Sequence, residues 1–460
     1  MKQLLSALLS TAMLLTGCAG GAAPTGTLSA SSPEPALTGY SLATPAYPEF
    51  PTLPQPPEEL EGFDWDAYSR AQADYYDAMR AFRGDGLQAD TLDKLNAFAA
   101  RSIPSALEGH EGENTIYSPL SLWAALAMLA PCANGNSRQQ VLNALDVSDP
   151  STLADQVSQV WHALYTEDGT NSLLLANSIW LNSAVEGSYV QDTLDTLAQK
   201  YFAGAYSVPM GTQQADQAIT DWVKEQTHGL IGSDAPVVDT SAQVLALLAS
   251  ALYYRAGWTD AFQPDQTEKD IFTDASGAES KVDFMHQTQN AHFLREKGWQ
   301  AASLSTSLGE MVFVLPDQGV TPESLLQDSD FLSQLDISGE KSQYGEVRWS
   351  VPKFDADSDV NLLGTLSALG ITDLLHPDKA DLFALTTLDA FLSDAKQLAR
   401  VKVDEEGVEA AAVTLLILEC TSAPLLQEPE VCVMDLDRPF LFVIRTQGVP
   451  LFVGVVNQVA

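Results

Sequence analysis

The sequence is poor in cysteine and in basic side chains. Its 460 residues include four cysteines, which show neither the CxxC nor the Cys/His spacing of a zinc site. So few cysteines exclude a disulfide-rich scaffold, and no metal site is predicted. Lysine and arginine number 23 against 61 acidic residues, which gives a net charge of −38. Because such a surface repels phosphate backbones, nucleic acid is excluded as a partner.

Hydrolase motifs are missing as well. The six histidines form no HExxH pattern, and no GxSxG segment occurs. We therefore expect no enzyme activity and no cofactor. Hydrophobic residues make up 45% of the chain, which is enough for a large buried core.

The first residues carry the signals of export. Lys2 precedes an apolar run from Leu4 to Leu15, which is short for a membrane span but typical of a signal peptide. The run ends in Leu-Thr-Gly-Cys18, which resembles the lipobox of bacterial lipoproteins. This resemblance implies a signal peptide over residues 1–17 and a lipid on Cys18. The protein would then be anchored to the bacterial cell envelope on its extracellular side, or released from it; an ordinary signal peptide is the alternative.

Two further segments precede the main domain. Residues 18–60 are dominated by Gly, Ala, Ser, Thr and Pro, so we expect a lipid-anchored, extended and poorly ordered tether. Residues 61–88 form a predicted helical extension, because apolar side chains between residues 64 and 82 recur at spacings of three, four and seven. We expect this helix to pack on the main body through Trp65, Tyr68, Tyr75, Met79 and Phe82.

The remainder, residues 89–460, predicts one large α+β domain, because no second Pro/Gly-rich linker divides it. A helix near Thr91 should end at Ile103-Pro104, and two more are predicted over 118–129 and 137–145. Strands are predicted over residues 172–181, 310–315, 347–352, 398–403 and 440–456.

The segment from Val403 to Thr414 combines a strand end, two acids, a glycine and small residues. Gly407 can take backbone angles closed to other residues, and the alanines that follow could slide between strands without clashes. If Val408 faces the core of an inserted strand, alternate residues from Ala410 onward share its face and Glu409 points to solvent. The segment therefore has the chemistry of an interior strand in a loop that should be exposed.

These residues resemble the serpin family, and the resemblance runs from about residue 90 to the end of the chain. Inhibitory serpins favour a hinge of the form Glu-x-Gly-Thr-Glu-Ala-Ala-Ala. The matching residues are Glu405, Glu406, Gly407, Val408, Glu409, Ala410, Ala411 and Ala412. Six further motifs occur in the family's order, at 114–126, 253–258, 313–317, 351–354, 369–371 with 380–382, and 437–454.

The resemblance implies a single serpin domain with a central five-stranded β-sheet, about nine helices, smaller sheets and an exposed reactive-centre loop within residues 407–438. It also implies a monomeric protease inhibitor. In such a protein the target, a serine or cysteine protease, cuts the loop and is trapped in a covalent complex when residues 408–421 insert into the main sheet. The alternative is a non-inhibitory serpin with a binding or chaperone-like role.

Counting from Glu405 by the family's spacing places the reactive bond at Thr421-Ser422, within about one residue. Between Gly407 and Asp437 there is no lysine or arginine, so an elastase-like or subtilisin-like enzyme fits better than a trypsin-like one. A shifted register would suit chymotrypsin-like or papain-like enzymes. The neighbouring candidates for the cut are Leu418, Cys420 and Ala423. Cys420 and Cys432 flank the bond and are expected to be free thiols.

The resemblance also assigns two regions that control opening of the sheet. Ser118 and Ser121 fall in the region called the shutter. Gln397 and Ser250 there replace the usual histidine and asparagine, and the two could share a hydrogen bond. The region called the breach contains Trp258 and Lys353; Lys353 should pair with Glu405 and resist opening.

Overall fold

Two β-sheets organise the part of the chain that the structure describes. The structure is a computed structural model, and it describes residues 37, 39–54, 64–185, 189–233, 236–328, 331–409 and 430–459. Seventeen strands and ten α-helices within these ranges confirm the α+β class. Within the same ranges, no helix combines the length and the apolar character needed to cross a bilayer.

The strands are numbered along the chain. They are β1 (Ser41–Ala43), β2 (Thr115–Tyr117), β3 (Thr166–Glu167), β4 (Ser172–Asn182), β5 (Ala203–Val208), β6 (Ala246–Gly257), β7 (Thr267–Thr273), β8 (Glu279–Glu296), β9 (Trp299–Thr306), β10 (Gly309–Pro316), β11 (Gln343–Pro352), β12 (Phe354–Asn361), β13 (Lys396–Val403), β14 (Gly407–Val408), β15 (Glu430–Asp435), β16 (Phe440–Thr446) and β17 (Val449–Val456).

The helices are numbered in the same way. They are α1 (Trp65–Arg83), α2 (Ala89–Ala106), α3 (Pro119–Cys132), α4 (Gly135–Ala144), α5 (Pro150–Leu164), α6 (Gln191–Lys200), α7 (Gln213–Gln226), α8 (Pro322–Leu325), α9 (Phe331–Gln334) and α10 (Leu363–Ala368). Two short 3-10 helices, Pro264–Gln266 and Asp373–Leu375, lie between them.

The main sheet has the order β1-β5-β4-β6-β14-β13-β12, with β3 attached to β4. The five longest of these strands, β4, β5, β6, β12 and β13, are the expected central sheet. Three short strands widen it to eight, and the one that matters for function is β14, which lies between β6 and β13.

The second sheet has the order β15-β11-β8-β9-β10-β16-β17-β2, with β7 paired to β8. It is one connected nine-stranded sheet where the family resemblance implied smaller separate ones. The single strand predicted over residues 440–456 is divided into β16 and β17 by a tight turn at Gln447 and Gly448. Both turn residues have positive φ, 50° and 78°, as hairpin turns of this length require.

The core lies between the sheets and is organised by α3, which packs against β6 on one side and β17 on the other. The helix is apolar around its whole circumference, with Trp123 and Leu126 each 2% exposed, as expected for a helix buried on all sides. It therefore joins the second sheet to β6, one of the two strands that flank β14.

Helix α2 does not end where the sequence predicts. It passes through Pro104 and continues to Ala106. A proline in the last turn removes only one hydrogen bond, and Ile103 and Ala106 on either side of it are buried. Apolar contacts at the end of the helix outweigh that loss.

The prediction of a poorly ordered tether up to residue 60 is wrong for residues 39–54. There β1 pairs with β5 at the edge of the main sheet, Tyr47 stacks on Trp161 at 5.5 Å, and Phe50 is only 8% exposed. The segment is rich in proline and small residues, but it also contains a few aromatic side chains whose burial stabilises the docked conformation. The predicted signal peptide and Cys18 lie outside the described residues.

The predicted N-terminal helix is present as α1, and its C-terminal end packs on the body. Met79 and Phe82 contact the core, and the Arg83 guanidinium donates to the carbonyls of His162 and Tyr165 at 2.6 and 2.7 Å. Trp65, at the other end of the predicted apolar face, is 54% exposed.

Candidate functional site

The chain turns sharply between β13 and β14, so that the first residues of the hinge run back beside the strand that precedes them. Val403 pairs with Val408 across this turn, and the Asp404 N–H donates to the Gly407 carbonyl at 3.1 Å. The Glu406 N–H donates to the Asp404 carboxylate at 3.1 Å. The turn is therefore fixed by its own hydrogen bonds.

On its other side, β14 pairs with β6. Gly407 lies opposite Gly257 and Val408 opposite Ala256, and the Val408 side chain is 3% exposed. The expected exposed loop is thus corrected at its first two residues, since both already lie inside the main sheet. Val408 faces the core, as the alternation of the segment predicted.

Beyond Val408, β6 and β13 do not pair with each other within the described residues. A cleft of about 790 Å³ separates the two strands, and apolar side chains such as Leu248, Leu252 and Val401 line it. Backbone N–H and C=O groups of adjacent strand edges normally pair, so the cleft is shaped to accept an additional strand.

The sequence predicted that Glu409, which follows Val408, points to solvent. This prediction is wrong for the described structure. The Glu409 side chain is half-buried, and its carboxylate accepts a hydrogen bond from the Tyr253 hydroxyl at 3.1 Å. Burial raises the pKa of this carboxyl above its ordinary value, although the Tyr253 hydrogen bond and nearby positive charges act to lower it.

Trp258, which directly follows β6, holds the hinge turn through two hydrogen bonds, and Phe262 adds a third. Its indole N–H donates to the Asp404 carbonyl at 2.9 Å, and its backbone N–H donates to the Glu406 carbonyl at 3.0 Å. The Phe262 N–H donates to the Glu405 carbonyl at 3.1 Å. Trp258 is 5% exposed, so water competes little with these bonds.

The Glu405 carboxylate lies 2.6 Å from the Lys353 ammonium, so the ion pair implied by the family resemblance is present. Thr267 also donates to Glu405, at 2.9 Å. Partial burial acts to raise the pKa of Glu405, but the hydrogen bonds from Lys353 and Thr267 and the charge of Lys353 bring it below its ordinary value. The pair connects the hinge turn to the junction between β11 and β12.

The polar contact in the shutter differs from the expectation. Gln397 accepts from the Ser118 N–H at 2.6 Å and donates to the Ser118 carbonyl at 2.9 Å, while the Ser118 hydroxyl caps α3 by accepting from the Ser121 N–H at 3.2 Å. No bond between Gln397 and Ser250 occurs among the described residues. The two residues lie on β13 and β6, on opposite sides of the cleft.

Several sequence-based assignments lie outside the described residues. Cys432 is described, in β15, where it is a buried free cysteine, and burial raises the pKa of its thiol to about 11. The assigned residues of the hinge and the reactive bond that lie outside the described residues are Ala410, Ala411, Ala412, Leu418, Cys420, Thr421, Ser422 and Ala423.

Sequence reasoning missed Tyr253 as a partner of the hinge. It lies within the recognised motif of β6, and a tyrosine hydroxyl in a buried strand requires a hydrogen-bond partner. That requirement indicated that Tyr253 has a partner, but it did not identify Glu409, which lies 156 residues further along the chain.

Comparison with known proteins adds an independent line of support. The family model described as "Serpin (serine protease inhibitor)" matches residues 93–459. Serpin-Z2B of Triticum aestivum is 29% identical over 384 residues, which cover 78% of this chain and 94% of that protein. Plasminogen activator inhibitor 1 of Neovison vison is 27% identical over 382 residues, which cover 78% of this chain and 91% of that protein.

The fold gives the same answer. The structure of the thermophilic serpin tengpin in its native state has a TM-score of 0.70 and 25% identity, and the match covers 81% of this chain and 95% of tengpin. Most serpins inhibit proteases rather than act as enzymes, and some do not inhibit. The match over residues 93–459, together with the hinge, breach and shutter geometry, identifies this chain as a member of the serpin family.

Proposed function

We propose that the protein inhibits a protease by trapping it during cleavage of the reactive-centre loop. The observation that carries the proposal is the position of β14, a two-residue strand held between β6 and β13 at the head of an open cleft. The hinge is therefore already aligned in the direction in which a longer strand would extend.

The trapping step follows from the chemistry of acyl transfer. The nucleophile of the protease attacks the carbonyl carbon at or near Thr421, the Thr421-Ser422 bond breaks, and the new amine of Ser422 leaves with the released proton. The carbonyl stays bound to the protease as an ester, or as a thioester if the nucleophile is cysteine. Residues 408–421 are then free to extend into the cleft.

Inhibition requires that the loop inserts faster than the acyl-enzyme is hydrolysed. The inserting segment, at roughly 3.3 Å per residue, spans about 45 Å, which is enough to carry the protease across the main sheet. Pairing on both sides with β6 and β13 provides the driving force, because the strand edges that face the cleft gain hydrogen bonds.

The target that the loop fits best is an elastase-like or subtilisin-like serine protease. The support is the composition of the segment between Gly407 and Asp437, which offers no basic side chain to an acidic specificity pocket. A lipid on Cys18 would hold this inhibitor, as a monomer, on the outer side of a bacterial envelope.

A non-inhibitory serpin with a binding role is the second candidate. One observation favours it: Glu409 is held by Tyr253 where the insertion must continue, and slow insertion would let the acyl-enzyme hydrolyse. The protein would then be a substrate.

The test is to mix the purified full chain with elastase and with subtilisin. Inhibition predicts a complex that survives boiling in detergent, and N-terminal sequencing of the released peptide identifies the bond. Ala410→Arg should convert the inhibitor into a substrate, because residue 410 would share the buried face of Val408 in the inserted strand. The matched control is Ala411→Arg, on the opposite face, which should still form the complex. Equal complex formation by both variants rejects the insertion mechanism.

A further inference from the structure

Strand β14 ends at Val408, and at Glu409 the backbone leaves the geometry of a strand. Its φ is +42°, in the left-handed region that residues with a β-carbon rarely adopt, whereas an extended strand needs φ near about −120°. The Glu409 N–H still donates to the Lys402 carbonyl at 3.2 Å. Glu409 is therefore the first residue after β14 whose backbone is not extended.

The side chain of Glu409 is held by a buried tyrosine. The Tyr253 hydroxyl donates to one carboxylate oxygen, and the other oxygen is buried without a hydrogen-bond partner among the described residues. Tyr253 is itself 2% exposed, and the His228 ring stacks on it at 4.8 Å with an interplanar angle of 8°. The position of the tyrosine hydroxyl is thus fixed by its surroundings.

Basic side chains face Glu409 from three neighbouring segments. Arg255 comes from β6, Lys402 from β13, and His228 from the segment after α7, where its ring nitrogen lies 3.8 Å from Glu167. Burial of Glu409 outweighs the Tyr253 hydrogen bond and the influence of these basic groups, so the pKa of its carboxyl is raised.

We propose that Tyr253 is a positioning residue that holds Glu409 and thereby stops insertion of the reactive-centre loop after Val408. The inference rests on the proposed insertion mechanism. For the strand to grow, Glu409 must break its bond with Tyr253, leave its half-buried site and rotate to an extended φ. The contact between these two side chains therefore sets part of the barrier to insertion.

Release of Glu409 from Tyr253 should depend on pH. A carboxyl that leaves for water regains its ordinary pKa, so Glu409 binds a proton more readily in the stopped conformation than after release. Lowering the pH therefore favours the stopped conformation, and raising the pH through the elevated pKa ionises the half-buried carboxyl and favours release. Uncut protein should convert to the inserted form faster above this pKa than below it.

The test measures how fast the uncut full chain converts to a heat-stable form at several pH values. Tyr253→Phe removes the hydroxyl and should speed conversion roughly tenfold at each pH, with the pH dependence retained. Glu409→Gln keeps the hydrogen-bond acceptor but has no charge to release, so its conversion should be slower than wild type and independent of pH. Opposite effects of two conservative variants are not expected from a general loss of stability.

Three control variants test whether Glu409 is the source of the pH dependence. Tyr344→Phe and Glu279→Gln change exposed residues on the second sheet and should behave as wild type. His228→Phe keeps a ring on Tyr253 without an ionisable group, so the pH dependence should persist in it. A pH dependence that persists in Glu409→Gln but vanishes in His228→Phe overturns the proposal.

Failure of this inference can be separated from failure of the proposed function. If wild-type protein gains no heat stability when subtilisin cuts its loop, the insertion mechanism itself fails. If the cut protein becomes heat-stable but Tyr253→Phe and Glu409→Gln convert at the wild-type rate, only the positioning role of Tyr253 is wrong.

Discussion

Gln397 and Ser118 connect the main sheet to the helix beneath it. Both ends of the Gln397 amide bond to the Ser118 backbone, at 2.6 and 2.9 Å, and Ser118 is the residue that caps α3. Because Gln397 lies on β13, any movement of this strand relative to α3 must break or carry these two bonds. The uncut state is therefore stabilised at the edge of the cleft by a contact that does not cross it.

Replacement of Gln397 by alanine should destabilise the uncut protein. It leaves the buried N–H of Ser118 without a partner and removes one of the two hydrogen bonds to its carbonyl, which also accepts from the Leu122 N–H. The expected cost is about 2 kcal/mol in the free energy of unfolding. Denaturant unfolding measures this loss. Gln88→Ala, at an exposed position whose side chain forms no capping bond, should change it by less than about 0.5 kcal/mol. Equal stability of the two variants would show that the shutter contact contributes nothing.

The ion pair of Glu405 and Lys353 should give the hinge a specific pH dependence. The pKa of Glu405 is lowered in the folded protein, so the pair stabilises it at pH values above the ordinary glutamate pKa and this contribution is lost as the pH falls through the lowered value. Lys353→Met should lower the melting temperature at neutral pH, with a loss of about 1 kcal/mol, and the difference from wild type should shrink in acid.

The control for the ion pair is Lys281→Met, which removes an exposed lysine from β8. Its effect on the melting temperature should be small at neutral pH. If Lys353→Met lowers the melting temperature by the same amount at pH 7 and in acid, the pair with Glu405 is not the source of the loss.

Cutting the reactive-centre loop should raise the melting temperature of the wild-type protein. Insertion lets the strand edges on both sides of the cleft form hydrogen bonds and fills apolar space, for a gain on the order of 10 kcal/mol. For a domain of this size that corresponds to roughly 10 °C or more. Calorimetry before and after subtilisin treatment checks it, with Ala410→Arg as the variant that should show little gain.

The docked N-terminal segment should contribute measurably to stability. Phe50 packs edge-on against Phe82 and Tyr165, at 5.2 and 5.5 Å between ring centroids, so Phe50→Ala should cost about 3 kcal/mol in the free energy of unfolding. Leu42→Ala, in the same segment but 42% exposed, is the matched control and should cost less than about 1 kcal/mol. A segment that does not stay docked in solution would give two equally small effects.

Patterns within short stretches predicted much of the fold. The strand predicted over residues 172–181 is β4, and the helix predicted over 64–82 is α1, because the periodicity of side chains reports directly on local structure. Val408 faces the core for the same reason. The pairing of Glu405 with Lys353 followed from the family resemblance, which carries information on contacts that periodicity lacks.

Other contacts could not be predicted because they depend on which surfaces meet. Tyr253 and Glu409 are 156 residues apart, and Ser118 and Gln397 are 279 residues apart. Residues 39–54 were predicted to be poorly ordered because their composition is rich in proline and small residues. Their order depends on the burial of Phe50 in an apolar site formed by other elements, which composition does not report.

By itself, the sequence determined the fold class, the family and the chemistry of the hinge: small, uncharged residues that can enter a sheet. Only the tertiary structure decided where the first residues of the hinge lie. Gly407 and Val408 pair with β6 and β13, and Glu409, whose φ is +42°, follows with its carboxylate bonded to Tyr253. Strand pairing and the hydrogen bond to a half-buried carboxylate both join segments far apart in the chain, so they exist only once those segments are in contact.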